Sequence, residues 1–216
     1  MTRPLVILGT GGSAYDLLDI VEAINAIQPT WEPIGFLDDA RPAGTRHLGL
    51  EVLGTLRDAS RFAECAFVNV IGSDRSFRHL PEILASTGLA LDRFATLVHP
   101  AASVSSRARL GRGVVINPGV VIGGGVLIGD HVMLCPGCIV GHESSIGDYS
   151  IIAPGAVISG LVVVEPTCYL GARAVIRHKL RIGNGALIGM GAVVVRDVEP
   201  GATLIGNPAR PLRRAI

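Results

Sequence analysis

From Val104 to Val194 an aliphatic residue returns at every sixth position without one insertion. The run is Val104, Leu110, Ile116, Ile122, Ile128, Leu134, Val140, Ile146, Ile152, Ile158, Val164, Leu170, Ile176, Ile182, Ile188 and Val194. Two residues before each stands a small or apolar residue, such as Val120, Cys138, Ser144, Ala156, Cys168 or Ala192. The residue just after is often glycine, as at Gly111, Gly123, Gly141, Gly171 and Gly189. A helix repeats its apolar face about every 3.6 residues and a half-buried strand about every 2, so neither accounts for a sustained period of six. Such a period marks a parallel β-helix. Each hexad lays down a short strand with two inward side chains and then turns a corner. The glycines after the aliphatic residues are expected to take positive φ there.

The pattern before this run is different. Leu5-Val6-Ile7-Leu8 reads as a strand, followed at once by Gly9-Thr10-Gly11-Gly12-Ser13-Ala14. Asp16 to Ile27 then reads as an amphipathic helix with Leu17, Ile20, Val21, Ile24 and Ile27 on one face. A second strand, Ile34-Gly35-Phe36-Leu37, ends in Asp38-Asp39; a third, Ala66 to Ile71, ends in Gly72-Ser73-Asp74, with a helix expected from about Ser76 to Ser86. Strands alternating with helices make a small parallel α/β sheet. A glycine-rich turn between a first strand and a helix can receive phosphate on backbone amides, and open sheets bind ligands at the carboxyl ends of their strands. Gly11, Gly12, Ser13, Asp38, Asp39 and Gly72 are therefore candidates for holding a nucleotide. The sheet stops near residue 98, too early for a full dinucleotide fold, which argues against a dehydrogenase. His99-Pro100 reads as the junction, giving a Rossmann-like domain over 1–98 and a β-helix with its tail over 99–216.

Composition narrows the function classes. Hydrophobic residues make up 49% of the 216, yet aromatics only 4%, as a narrow solenoid filled by Val, Ile, Leu and Ala would require. A net charge of +1 provides no global field for nucleic acid. No apolar run reaches the length of about 18 residues that a spanning helix needs, and no charged segment followed by an apolar one opens the chain. We expect a cytoplasmic protein that binds neither membrane nor nucleic acid. Cys135 and Cys138 form a CxxC, but Cys138 and Cys168 both fall at inward positions of the hexad register, as small hydrophobes would. No metal site is expected.

Motifs along nearly the whole chain carry a family resemblance: the Gly9-Thr10-Gly11-Gly12 opening, Gly35-Phe36-Leu37-Asp38-Asp39, His99-Pro100, the hexads, Val140-Gly141-His142-Glu143-Ser144-Ser145-Ile146-Gly147-Asp148, and the closing Gly206-Asn207-Pro208-Ala209-Arg210. The sequence resembles the hexapeptide-repeat sugar acetyltransferases, the group of sialic-acid O-acetyltransferases and bacillosamine- and perosamine-type nucleotide-amino-sugar N-acetyltransferases. The resemblance implies a left-handed β-helix whose triangular coil takes three hexads, and a homotrimer with active sites between neighbouring β-helices. It implies acetyl-CoA as co-substrate and a UDP- or GDP-linked amino-dideoxy sugar as acceptor, in the synthesis of surface polysaccharide such as O-antigen. It also implies that His142 is the general base, Glu143 its support, and Gly160 a backbone contact to the acetyl group. Some relatives carry a second histidine near the coenzyme where this chain has Ile151.

With eighteen residues per coil, His142, Gly160 and His178 share one column, neighbours standing about 4.8 Å apart by strand spacing. An imidazole beside a bare backbone amide is a base for a nucleophile next to a donor for an oxyanion. Arg173, Arg177, Lys179 and Arg181 crowd the later coils, with Arg210, Arg213 and Arg214 in the tail. Arg177 and Lys179, together with Gly160 and Gly189, are the expected acetyl-CoA contacts. His131, at a turn, reads as solvated or interfacial, and His47 and His79 as surface residues. Two other readings stand beside N-acetylation: sugar O-acetylation of the sialic-acid type, and a non-catalytic nucleotide-sugar-binding scaffold.

Overall fold

The computed structural model describes residues 2–212. The N-terminal part holds β1 (Arg3–Leu8), α1 (Ser13–Ile27), β2 (Trp31–Leu37), β3 (Arg46–His47), β4 (Leu50–Gly54), β5 (Ala66–Asn69) and α2 (Leu80–Ala85). The sheet runs β3-β4-β2-β1-β5 and is parallel except for the β3–β4 pair. Leu5 and Ile7 face one apolar cluster while Val6 and Leu8 face another, so β1 is buried on both sides and reads as an unbroken apolar run. The short β3–β4 hairpin has no alternation long enough to read in sequence. The expected helix from Ser76 is a 3₁₀ turn, Phe77–His79, running into α2. On α1 the buried residues are Ala14, Leu17, Ile20 and Val21; Ile27, at the last turn beyond the sheet, is 74% exposed.

The second part is the β-helix, built of two-residue strands from Leu97–Val98 to Val193–Val194. They form three parallel sheets in which residues eighteen apart pair, as Ile122 with Val140 and Ile128 with Ile146. We number the faces by one coil: the first holds Met133–Leu134, the second Ile139–Val140, the third Ser145–Ile146. The sixfold aliphatic residues from Ile116 on are buried in one continuous core with the small residues two before them. Val104 and Leu110, in the opening coil, are only partly covered.

The glycines after the aliphatic residues do not take positive φ, contrary to expectation. That conformation falls three residues after each aliphatic position from Leu110 to Ile188, at Gly113, Gly119, Gly125, Gly137, Gly155, Gly185 and Gly191, and also at His131, Glu143, Tyr149, Leu161, Thr167, Arg173 and Lys179. The glycines just after the core residues answer to crowding instead. A methyl group at Gly141 would stand 2.5 Å from the Gly160 nitrogen, and one at Gly123 2.8 Å from the His142 nitrogen, because coils only about 4.8 Å apart leave no room for it.

The N-terminal part covers the first face. Met133 and Ile151 share a cluster with Phe77, Leu80 and Leu97, the Phe77 ring lies 5.7 Å from that of Tyr169, and Arg78 Nε donates to the Gly185 carbonyl at 2.9 Å. His131 sits in this seam. It is 6% exposed, stacked on Tyr149 at 5.1 Å and edge-on to Phe94 at 4.5 Å, so it is a buried packing residue and not a solvated one. Burial pushes its imidazole below the ordinary value against the upward pull of Asp130 and Asp148. His47 is likewise half-buried, edge-on to Tyr15 and Phe36, while His79 is exposed.

Candidate active site

Three corners close each coil, and each handles its backbone amide differently. Between the first and second faces the early coils use Pro118, Pro136 and Pro154, which have no N–H to satisfy. Between the third and first faces, Asp130 Oδ1 accepts from Arg112 N at 2.7 Å and Asp148 Oδ1 from Asp130 N at 2.8 Å. The corner between the second and third faces holds Gly124, His142, Gly160 and His178. There, among the described residues, no protein group accepts from the Gly160 N–H.

His142 reaches across this open corner. Its Nδ1 lies 3.1 Å from Glu143 Oε2, and a methyl group at Gly160 would fall 2.6 Å from Nε2. The imidazole therefore lies over the α-carbon of Gly160, and only glycine leaves it that place. Glu143 holds its carboxylate to the ring from a left-handed backbone with φ 56°. A carboxylate accepting from Nδ1–H leaves the Nε2 lone pair free to take a proton. Both side chains are 65% exposed. Ser144, buried just behind them, donates to Ser159 O at 3.0 Å and accepts from Val162 N at 3.1 Å, pinning this corner to the next coil. The register marks Ser144 as an inward small residue; what the period leaves unsaid is that its hydroxyl bonds the next coil.

Gly11, Gly12, Ser13, Asp38, Asp39 and Gly72 all line one cleft of about 370 Å³ at the carboxyl ends of β1, β2 and β5. Gly9 is the glycine that packing requires, with φ 99° and room for a Cβ only 2.5 Å from Ile71. Gly11 and Gly12 face open space, where a Cβ would meet nothing within 4 Å. Asp38 is engaged: Oδ2 accepts from Thr10 N and Oγ1, each at 2.7 Å, and Oδ1 from Ala40 N at 2.6 Å. Burial pushes this carboxyl up, but the bonds from Thr10 and Ala40 outweigh it and hold it below the ordinary range. Asp39 Oδ1 accepts from Leu56 N at 2.9 Å. Gly72 also lies against Ile151 of the β-helix.

Arg177, His178 and Lys179 are exposed on the His142 corner, one coil beyond Gly160. Gly189 does not join them. It lies at the corner between the first and second faces, donates its N–H to Leu204 O at 2.7 Å and is covered by Ile205. Of the other basic residues, Arg181 pairs with Glu165, Arg210 bonds its neighbouring carbonyl, and Arg213 and Arg214 lie outside the described residues. Burial pushes the thiols of Cys138 and Cys168 up to about 11 and that of Cys135 to about 12, and Cys138 and Cys168 pack in the apolar core of the prism as small side chains.

The PglD N-terminal domain family matches residues 4–78, and the GMPPB C-terminal domain family residues 94–189. The acetyltransferase domain of PglB from Neisseria gonorrhoeae, solved with acetyl coenzyme A, is 31% identical with a TM-score of 0.82, over 98% of this chain and 100% of that one. The chain belongs to the hexapeptide-repeat nucleotide-amino-sugar acetyltransferases. A perosamine N-acetyltransferase from Caulobacter crescentus, in complex with CoA and GDP-perosamine, is 28% identical with a TM-score of 0.83 over 99% of both chains. WeeI from Acinetobacter baumannii is 29% identical with a TM-score of 0.83, over 98% of this chain and 100% of that one. Comparison with curated protein sequences gave no match. The acetyltransferase takes acetyl-CoA as its co-substrate, and its N-terminal sheet and left-handed β-helix are those of its relatives.

Proposed function

We propose that this acetyltransferase moves the acetyl group of acetyl-CoA to the 4-amino group of a UDP- or GDP-linked amino-dideoxy sugar, of the bacillosamine- or perosamine-precursor class. The observation that carries the reading is the corner where His142 Nε2 lies over Gly160, with Glu143 on Nδ1 and the Gly160 amide left without a partner. The amine attacks the thioester carbonyl as a free base, forming the C–N bond. The oxyanion that develops takes the Gly160 N–H. His142 Nε2 removes a proton from the nitrogen as positive charge builds on it, and Glu143 stabilises the imidazolium. Collapse breaks the C–S bond, and the proton leaves with the CoA thiol. Arg177 and Lys179 meet the coenzyme phosphates through charge-assisted hydrogen bonds.

The acceptor's nucleotide occupies the 370 Å³ cleft, on the amides at the start of α1. The N-terminal part covers the first face, whereas His142 stands on the corner opposite that face. One chain's cleft and its own base therefore point apart. This supports a homotrimer in which the cleft of one subunit serves the corner of its neighbour, as does the apolar stripe of Val121, Ile139 and Val175 exposed along the second face. A cytoplasmic role in building surface glycans follows from such substrates. The test is a panel of UDP- and GDP-linked 4-amino sugars with acetyl-CoA, read by thiol release and product mass. Acetylation of one of them at nitrogen is the expected outcome. Acetylation only at a hydroxyl, or no turnover with any, would overturn the reading.

A further inference from the structure

The nucleotide cleft has a charge problem. A nucleoside diphosphate brings at least two negative charges, yet no lining residue is basic and two, Asp38 and Asp39, are acidic. Asp38 stays ionised well below neutrality, and the start of α1 contributes only partial charge. A cation must come from the rim.

One arginine is fixed there. Thr10, 8% exposed within the glycine turn, gives its hydroxyl hydrogen to Asp38 at 2.7 Å and accepts from Arg41 Nε at 2.9 Å. The chain Asp38–Thr10–Arg41 thus ties the end of β2 to the turn after β1 and holds the guanidinium by one nitrogen. Among the described residues its two terminal nitrogens have no hydrogen-bond or ion-pair partner. A guanidinium anchored by Nε beside a phosphate-type turn keeps a planar pair of donors free for anionic oxygens. By contrast Arg75, near the third strand end, is tied only through its backbone amide, to Ser73.

We propose that Arg41 is a substrate-binding residue that clamps the diphosphate of the nucleotide-linked acceptor. The inference rests on the reading of the cleft given above. Arg41 supplies the charge the cleft lacks, and Thr10 sets its direction before substrate arrives.

The test is calorimetric binding of GDP and UDP, and of guanosine and uridine followed by ligand-observed NMR, to the parent, Arg41→Ala and Arg41→Lys. A lost charge-assisted contact should raise the diphosphate Kd about tenfold to a hundredfold in Arg41→Ala and leave nucleoside binding unchanged. Arg41→Lys should recover part of the loss, having the charge without the Nε anchor. In turnover, the acceptor KM should rise while kcat and the acetyl-CoA KM hold. Equal weakening of nucleoside and diphosphate would make Arg41 a mere prop of the turn and overturn the proposal, as would parental diphosphate affinity in Arg41→Ala. A parent that binds neither diphosphate would overturn the cleft reading along with it.

Discussion

Gly160 separates a packing explanation of the site from a chemical one. Its missing side chain is the space that the His142 ring occupies, 2.6 Å from where a methyl would stand. Gly160→Ala should displace the imidazole without disturbing the core and lower kcat about a hundredfold, the scale of a misplaced catalytic group, with an unchanged circular dichroism spectrum. His142→Ala should lower kcat by about 10²–10⁴-fold. Glu143→Ala should cost less, because it acts through the ring, and His178→Ala little, standing about 9.6 Å along the column at two strand spacings. Coenzyme KM should hardly move in the three side-chain truncations at His142, Glu143 and His178. Parental turnover in both Gly160→Ala and His142→Ala would remove this corner from the chemistry. At this scale the sequence was informative because a solenoid turns spacing into position: residues eighteen apart must be neighbours. What it could not reveal was the direction of a side chain. That His142 leans towards Gly160, and that Asp38 is already bound to Thr10, depend on local geometry that no period encodes.

Single turns and strands give the register its energetic meaning. Ile146 is 1% exposed inside the prism, and Ile146→Asp would place an unpaired charge there at a cost of several kcal/mol. The variant should melt far below the parent, and equal melting temperatures would mean the register is wrong. The period was legible because every coil repeats one packing problem; the corners were not, because the left-handed site is filled by seven different non-glycine residues and leaves no glycine rhythm. Nor was the burial of His131, which comes from Phe94 of the N-terminal part closing over it. That burial has a pH consequence. The unfolded chain takes up a proton on this ring near the ordinary imidazole value of about 6.5, whereas the folded ring, its pKa depressed, does not. Stability should therefore be fully present above that value and fall as pH drops through it towards the folded pKa. Melting temperatures at pH 7.5 and 5.5 should differ more in the parent than in His131→Phe, which has nothing to protonate. Equal differences would remove His131 as a source of acid sensitivity.

For the whole molecule, the proposed reading puts two halves of one reaction on opposite sides of a single chain, and assembly is then a requirement of activity. Light scattering should give a trimer mass, the ring that a head-to-tail contact makes when its rotation closes after three subunits. A sharper test uses two crippled variants. His142→Ala keeps the cleft and loses the base. Gly11→Trp keeps the base and fills the cleft, at a position where open space lets the fold accept the bulk; its acceptor KM should rise while its acetyl-CoA KM does not. Each alone should be nearly inactive at low acceptor. Co-expressed in equal amounts with different tags and purified through both, they should regain activity, because some sites take an intact cleft from one subunit and an intact histidine from the next. Purification through both tags leaves only mixed trimers, and every mixed ring of three has one site in three with both parts intact, so turnover near a third of the parental value is expected. If each chain instead used its own cleft and its own histidine, every site in the mixture would carry one lesion and no activity would return.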